Sequence, residues 1–305
     1  MTAEDSIDRF STARYAVKEA HEAKWARRIA LFFLQLLILT VILHRFAGLG
    51  TPAAVNLVGV SVVGMAIAVV IALISLIRIW FGGQTGAAQD FAAIAVGLIG
   101  LALPVYFLVK AVELPQLTDI QTSPANPLIF TMLAEQRPPD ANPLLNPGPE
   151  QAKLQAEAYS EIGPMYLERS APEVFTLVSE AISRLGWNVV LNETPGESGI
   201  GRIEATDQTM IMAFTDDVIV RVKGDDAHTL VDMRSASRYG QHDFGTNAAR
   251  IRAFYGEVNT ALEKGEKTVL EQTAPKKAEE PVAAPAKEIK KKKKRRRKRR
   301  VRRRR

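Results

Sequence analysis

Apolar and polar positions alternate with two different periods along this chain, and the change of period divides it. Before Glu113 the apolar residues come in long unbroken runs: Ile29 to Leu49, Val55 to Ile79 and Phe91 to Val109. His44 and Arg45 interrupt the first run late, and Pro104 lies inside the third. A bilayer core about 30 Å thick needs about 20 apolar residues in a helix, so each run predicts a membrane span. The charged stretch before Ile29 and the two later spans favour a retained anchor over a cleaved signal peptide. No lysine or acidic residue occupies the middle of a span, as an ion or proton path would need, so the spans read as an anchor. Ala68 with Ala72, and Ala93 with Gly97, are small residues at helical spacing that let helices pack closely.

From Glu113 to Pro149 prolines recur too often for long helices or sheet interiors. This predicts an extended segment lying on the surface of the domain that follows. There the pattern becomes helical. Ser170 and Glu173 have capping-box spacing, Pro172 fits a first turn, and Val174, Leu177, Val178, Ala181, Ile182 and Leu185 form a stripe ended by Gly186. Period-2 alternation follows. Trp187, Val189 and Leu191 form one set; Ile203 and Ala205 the next; then Met210, Met212 and Phe214; then Val218, Val220 and Val222; then Val231 and Met233. Pro195-Gly196, Asp216-Asp217 and Gly224-Asp225-Asp226 read as turns, short enough to make neighbouring strands antiparallel. Ala248, Ile251, Tyr255, Val258 and Leu262 line a last helix. The expected fold is α+β: three transmembrane helices, then a two-layer domain of helix, about five mostly antiparallel strands and helix. The expected divisions are 1–28, an N-terminal segment; 29–110, the anchor; 111–169, the proline-rich segment; 170–264, the α+β domain; and 265–305, a disordered Ala/Pro/Lys/Glu linker and basic tail.

Charge refines this picture. The net charge of +7 is the work of one terminal run: from Lys290 to Arg305 every residue but Val301 is basic. Without those 15 cations, 25 basic residues face 33 acidic ones, so the body of the protein is acidic. Nucleic acid is therefore not the expected partner. The tail suits an anionic lipid or another polyanion, and the spans suit a membrane. Arg9, Arg14, Lys18, Lys24, Arg27 and Arg28 precede the first span, against Arg45 and Arg78 in the loops and Lys110 after the third. The positive-inside rule then places the N-terminus in the cytoplasm and the domain outside it, in the periplasm of a bacterial inner-membrane protein. With no cysteine and four scattered histidines, the chain offers no disulfide, thiol nucleophile or metal-ligand spacing, and no cofactor is expected.

Specific polar chemistry concentrates between Asp232 and Arg252, where strand gives way to helix through a turn needing Gly240 and Gly245. If Ile203, Val220, Val231 and Met233 point inward, then Arg202, Glu204, Arg221, Asp232 and Arg234 share the opposite face, which reads as solvated and laced with ion pairs. The alternative is an anion site gripped by Arg221, Arg234 and Arg238. Asp243, Thr246 and Asn247 suit a helix start, with Arg238 and Arg250 tying down the turn. Arg234, Arg238, Asp243 and Asn247 are thus expected to form one cluster. Ser235 and Ser237 share a strand face and could be nucleophiles with His242 as base, but no glycine-flanked serine elbow surrounds them. His242, Asp243, Asp216 and Asp217 match no metal motif, and Trp187 and the methionine set read as core.

Leu114-Pro115-Gln116-Leu117-Thr118-Asp119-Ile120-Gln121-Thr122, Asp216-Asp217-Val218-Ile219-Val220-Arg221, and Asp232 to Arg238 with Asp243, Gly245, Asn247 and Arg250-Ile251 resemble the bacterial and plastid family catalogued as domain of unknown function 1499. The resemblance runs roughly from Leu114 to Leu262. Ser160 after Tyr159, and Met210 and Met212, depart from the family's usual proline and aromatics. The resemblance implies a fold and a membrane context but no activity. The leading expectation is a tethered binding or scaffolding module of the cell envelope. The rival is a hydrolase or anionic-ligand-modifying enzyme using the Arg234–Asp243 region.

Overall fold

The computed structural model describes residues 18–273, with side chains to residue 264. Arg9 and Arg14, and the basic run from Lys290, lie outside the described residues. Among the described residues, 18–261 form one compact unit.

Three long helices come first: α1 (His21–Phe46), α2 (Thr51–Gly82) and α3 (Ala87–Glu113), all long and apolar enough to cross a membrane. Each extends beyond its apolar run at one end or both. The seam between them is made of small residues. Ala26, Ala30, Ala68, Ala72 and Ala93 are fully buried together. A Cβ added at Gly64 would overlap the Phe33 ring, and one at Gly97 or Gly100 would overlap Val69 or Met65. The expected packing of Ala68, Ala72, Ala93 and Gly97 is present. Asp90, in the first turn of α3, is fully buried, and neither carboxylate oxygen has a hydrogen-bond partner.

The domain follows α3 after a short connection. It contains β1 (Asp119–Gln121), α4 (Met132–Gln136), α5 (Pro149–Ala158), β2 (Met165–Leu167), α6 (Ala171–Leu185), β3 (Asn188–Glu193), β4 (Ile200–Gln208), β5 (Thr215–Gly224), β6 (Thr229–Ser237) and α7 (Thr246–Thr273). The strands form one antiparallel sheet in the order β1-β6-β5-β4-β3, with β2 also pairing to β6. The α+β class holds, with six strands. The additional strands are β1 and β2, three residues each, too short to leave a period in a proline-rich sequence. The helix α7 also runs past the boundary expected at residue 264.

Helices α6 and α7 cover one face. Val174, Val178, Ala181 and Ile182 from α6 and Ala248, Ile251, Phe254 and Val258 from α7 are buried there. Trp187 joins this core, stacked on Phe254 at 5.9 Å between ring centroids. Gly201 on β4 leaves room for the Phe175 ring. Ser170 is the residue before α6 and Gly186 ends it in the left-handed region, as expected, but the Ser170 side chain makes no capping hydrogen bond. Glu173 instead takes a bond from Arg169.

The opposite face departs from expectation. It is not solvated: the proline-rich segment lies across it as a third layer. Leu128, Phe130 and Leu133 pack on Ile219 and Ala236, and each such side chain removed from water contributes about 1.5–3 kcal/mol. Glu204 is fully buried here. Its carboxylate accepts bonds from the Thr131 amide and hydroxyl and from the Leu133 amide, all at 2.7–2.9 Å. Those donors lie more than seventy residues away in sequence, so alternation alone could not separate a solvated charged face from a covered one.

Two local expectations are also corrected. Asp216 and Asp217 do not turn the chain; they lie within β5, paired with Ser237 and Ala236 of β6. The turn falls at Thr209–Phe214, closed by the Ala213 amide bonding to Thr209 O and the Phe214 amide to Thr209 Oγ1. Ala213 takes a positive φ there. Met210 is consequently not core but 89% exposed, and Met212 and Phe214 are half-buried.

Candidate functional site

Strand β6 carries four of the sequence-predicted polar residues, and its pleat deals them to the two faces. Ser235 and Ser237 face α7. Asp232, Arg234 and Ala236 face the proline-rich layer.

On the helical face the node is Asn247. Its side-chain amide donates to Thr118 O and Ser237 Oγ, each at 3.0 Å. Its carbonyl accepts from Ser235 Oγ at 2.7 Å and from Arg250 Nη1 at 2.9 Å. Arg250 spends its remaining donors on Ser235 Oγ, Asp207 Oδ2 and Asp216 Oδ2 at 2.7–2.9 Å. Burial pulls the Arg250 guanidinium down, but Asp216 and Asp207 outweigh it and hold the group above its usual range. One guanidinium thus joins α7 to β4, β5 and β6.

The turn before α7 is built as the glycines foretold, with φ 85° at Gly240 and 80° at Gly245; Phe244 is also left-handed. The Asp243 carboxylate accepts from the Gly245 amide at 2.9 Å and the Asn247 amide at 3.1 Å. Burial nevertheless pushes its pKa above the usual carboxylate range. His242 Nδ1 lies 2.9 Å from the Phe244 amide, so it accepts, and Nε2, 3.2 Å from Leu114 O, donates. Both ring nitrogens are therefore used by backbone. The hydrogen bonds of Ser235 and Ser237 go to Asn247 and Arg250, not to His242, so the serine–histidine arrangement does not assemble.

On the other face Arg234 is 1% exposed and fully engaged. Nε lies 3.0 Å and Nη2 2.7 Å from the Asp119 carboxylate; Nη1 and Nη2 also donate to Leu128 O and Leu145 O, and the guanidinium lies over the Phe130 ring. Arg238 donates twice to Asp217 Oδ1, at 2.8 and 2.6 Å, while Arg137 approaches Asp217 Oδ2 at 3.3 Å. Burial drives the Asp217 pKa up, against the pull of these two arginines. Arg221 bonds Asp232 Oδ2, and Ser123 Oγ donates to Asp232 Oδ1.

The expected single cluster of Arg234, Arg238, Asp243 and Asn247 is therefore two clusters, separated by the thickness of the sheet. Arg234 and Arg238 are spaced by four along the chain and fall on one face; Asn247 meets Ser235 and Ser237 on the other. Sequence reasoning paired the arginines with Asp243 and missed Asp119, Asp217, Asp207 and Asp216. Asp119 left a signal, standing in the Leu114–Thr122 stretch that carries the family resemblance. Asp216 and Asp217 were hidden by their reading as a turn. Among the described residues no group of three or more His, Asp or Glu side chains could hold a metal. A shallow concavity of about 380 Å³ lies beside Tyr166, Lys223, His228 and Leu230, where β5 ends and β6 begins, and not against the Arg234–Asp243 region.

These clusters fall within residues 119–258, which match the family model described as Protein of unknown function (DUF1499). That match covers most of the sheet domain of this chain. No curated protein and no solved structure matches the chain.

Proposed function

We infer that this is a multi-pass protein of the bacterial inner membrane whose sheet domain stands in the periplasm as a binding or scaffolding module of the envelope. The observation that carries a non-catalytic reading is the use of the buried arginines. Arg234 and Arg250 each have all three guanidinium nitrogens bonded within the domain, and Arg238 bonds Asp217 through Nε and Nη2. An arginine that grips a substrate must hold donors in reserve. The excess of Lys and Arg before the first span supports a cytoplasmic N-terminus.

Two measurements test this. Alkaline phosphatase and a cytoplasm-dependent fluorescent protein are fused in turn after Leu262; phosphatase activity without fluorescence is expected, and the reverse overturns the orientation. Arg238→Ala is then assayed for folding. Loss of the folded domain fits a structural arginine. A fully stable variant overturns the non-catalytic reading and favours an anion site.

A further inference from the structure

The depth of the β4–β5 turn can be read from α1. Trp25 and Phe46 lie near its two ends, with Lys24, Arg27 and Arg28 beside the first and Arg45 beside the second. At 1.5 Å per residue they are about 31 Å apart along the helix. The hydrocarbon core is about 30 Å thick. Tryptophan is enriched at membrane boundaries. With Trp25 and its neighbouring cations at one boundary, Phe46 falls close to the other, with His44 and Arg45 beside it.

The β4–β5 turn is fastened at that level. His44 Nδ1 lies 2.6 Å from Met212 O, and Arg45 Nη1 donates to Met210 O at 2.7 Å. The His44 ring also meets Phe214 edge-on, 5.2 Å between centroids. Carbonyls of the turn thus bond to the end of α1, while its apolar side chains are left open: Met210 is 89% exposed and Ile211 43%. A second contact lies at the same end of the bundle. Phe244, on the turn before α7, packs on Phe107 of α3 with 5.2 Å between ring centroids. Moving methionine and isoleucine side chains from water into an apolar layer lowers the free energy by about 25 cal/mol for each Å² of apolar surface transferred.

We propose that the β4–β5 turn is a membrane-inserting loop: Met210 and Ile211 enter the lipid leaflet at the Phe46 end of the spans, and His44 and Arg45 latch the backbone of the turn. The occupant of this apolar tip is the bilayer crossed by the chain's own helices. A helical anchor alone lets a domain swing. A third contact beside α1 and α3 sets its height and tilt, so that the start of α7 stays near the lipid surface and the β5–β6 turn points away from it. The proposal does not depend on which compartment holds the domain.

The absence of cysteine makes the test direct. Met210→Cys, Ile211→Cys and, as control, Tyr166→Cys are each labelled with an environment-sensitive fluorophore in the full-length protein. Tyr166 is exposed and pairs with Leu230, at the end of the sheet remote from the β4–β5 turn. The labelled chains are placed in nanodiscs of phosphatidylethanolamine and phosphatidylglycerol, with a nitroxide quencher on the lipid chains or iodide in the water. Labels at positions 210 and 211 should lose more than half their emission to lipid nitroxide and resist iodide, and the label at 166 should do the opposite. Iodide quenching at 210 and 211 equal to that at 166 overturns the proposal. Shielding from both quenchers also overturns it, because a second copy of the chain then covers the tip.

Discussion

Arg234 and Asp119 meet across β6 and β1 in a two-pronged ion pair, and the arginine is almost fully buried under the proline-rich layer. Removing either partner strands the other, which costs about 3–5 kcal/mol for a buried pair. Arg234→Ala and Asp119→Ala are each expected to cause a loss of that size, and the double variant should lose less than the sum. Denaturant unfolding of the detergent-solubilised chain, followed by Trp187 fluorescence with Trp25 and Trp80 replaced by Phe, measures it. Strict additivity would dissolve the pair.

Arg250→Lys should be costly although charge is kept. An ammonium is a compact point charge and cannot reproduce the fork reaching Asp207, Asp216, Ser235 and Asn247. With several buried acceptors abandoned, a loss above about 2 kcal/mol is expected. Arg221→Lys should cost less than Arg250→Lys, because the guanidinium bonds one carboxylate oxygen of Asp232 rather than a set of four partners. Equal losses in the same unfolding assay would contradict the assigned role of Arg250.

Asp243 gives a pH signature. Its pKa in the folded domain is raised by burial, so the folded state binds the proton more tightly than the unfolded chain. The stability this group contributes is fully present below the ordinary value of 3.8 and is lost as pH rises through the elevated folded value. The wild type's stability relative to Asp243→Asn should therefore decline as pH rises out of the ordinary carboxylate range. Melting both proteins across that range tests it; a relative stability that climbs with pH would mean that the amide donors outweigh burial.

Gly64→Leu should unsettle the helical bundle and Gly59→Leu should not. The Phe33 ring occupies the place of a Cβ at Gly64, whereas nothing lies within 4 Å at Gly59. Overpacking costs about 1–3 kcal/mol. Thermal melting of the detergent-solubilised variants separates the two, and indifference at Gly64 would contradict the close α1–α2 packing.

The spans were legible because a helix that is apolar all round, from Val55 to Ile79 for instance, has lipid as its natural solvent. The sheet was legible because Val218 to Val222 and Val231 to Met233 alternate cleanly. The left-handed glycines at Gly240 and Gly245 were equally readable. The partners of the charged residues were not. Alternation says that Glu204, Asp232 and Arg234 share a face, but not that Thr131, Ser123 and Leu128 cover it. Their donors and acceptors come from a segment with no period of its own. Met210 and Met212 were misplaced for a related reason. Their spacing continues a strand pattern through the turn that reverses it, and Ala213, with its positive φ, is a residue type that gives no warning.

The double pairing of β6 limits how other molecules can join this sheet. On its outer side β1 occupies Arg234 to Ala236, β2 occupies Thr229 to Val231, and Thr122 bonds Met233 through its amide and hydroxyl between them. The β6 edge is thus taken up by the chain's own residues, and the rim on this side passes to two strands of three residues each, too short to template a long ladder. The remaining rim is β3, where the register slips between Val189 and Leu191 and the ends carry Asn188, Asn192 and Glu193. A bulge and polar ends discourage edge-to-edge pairing. Copies of this domain brought side by side are thereby hindered from polymerising through their sheets.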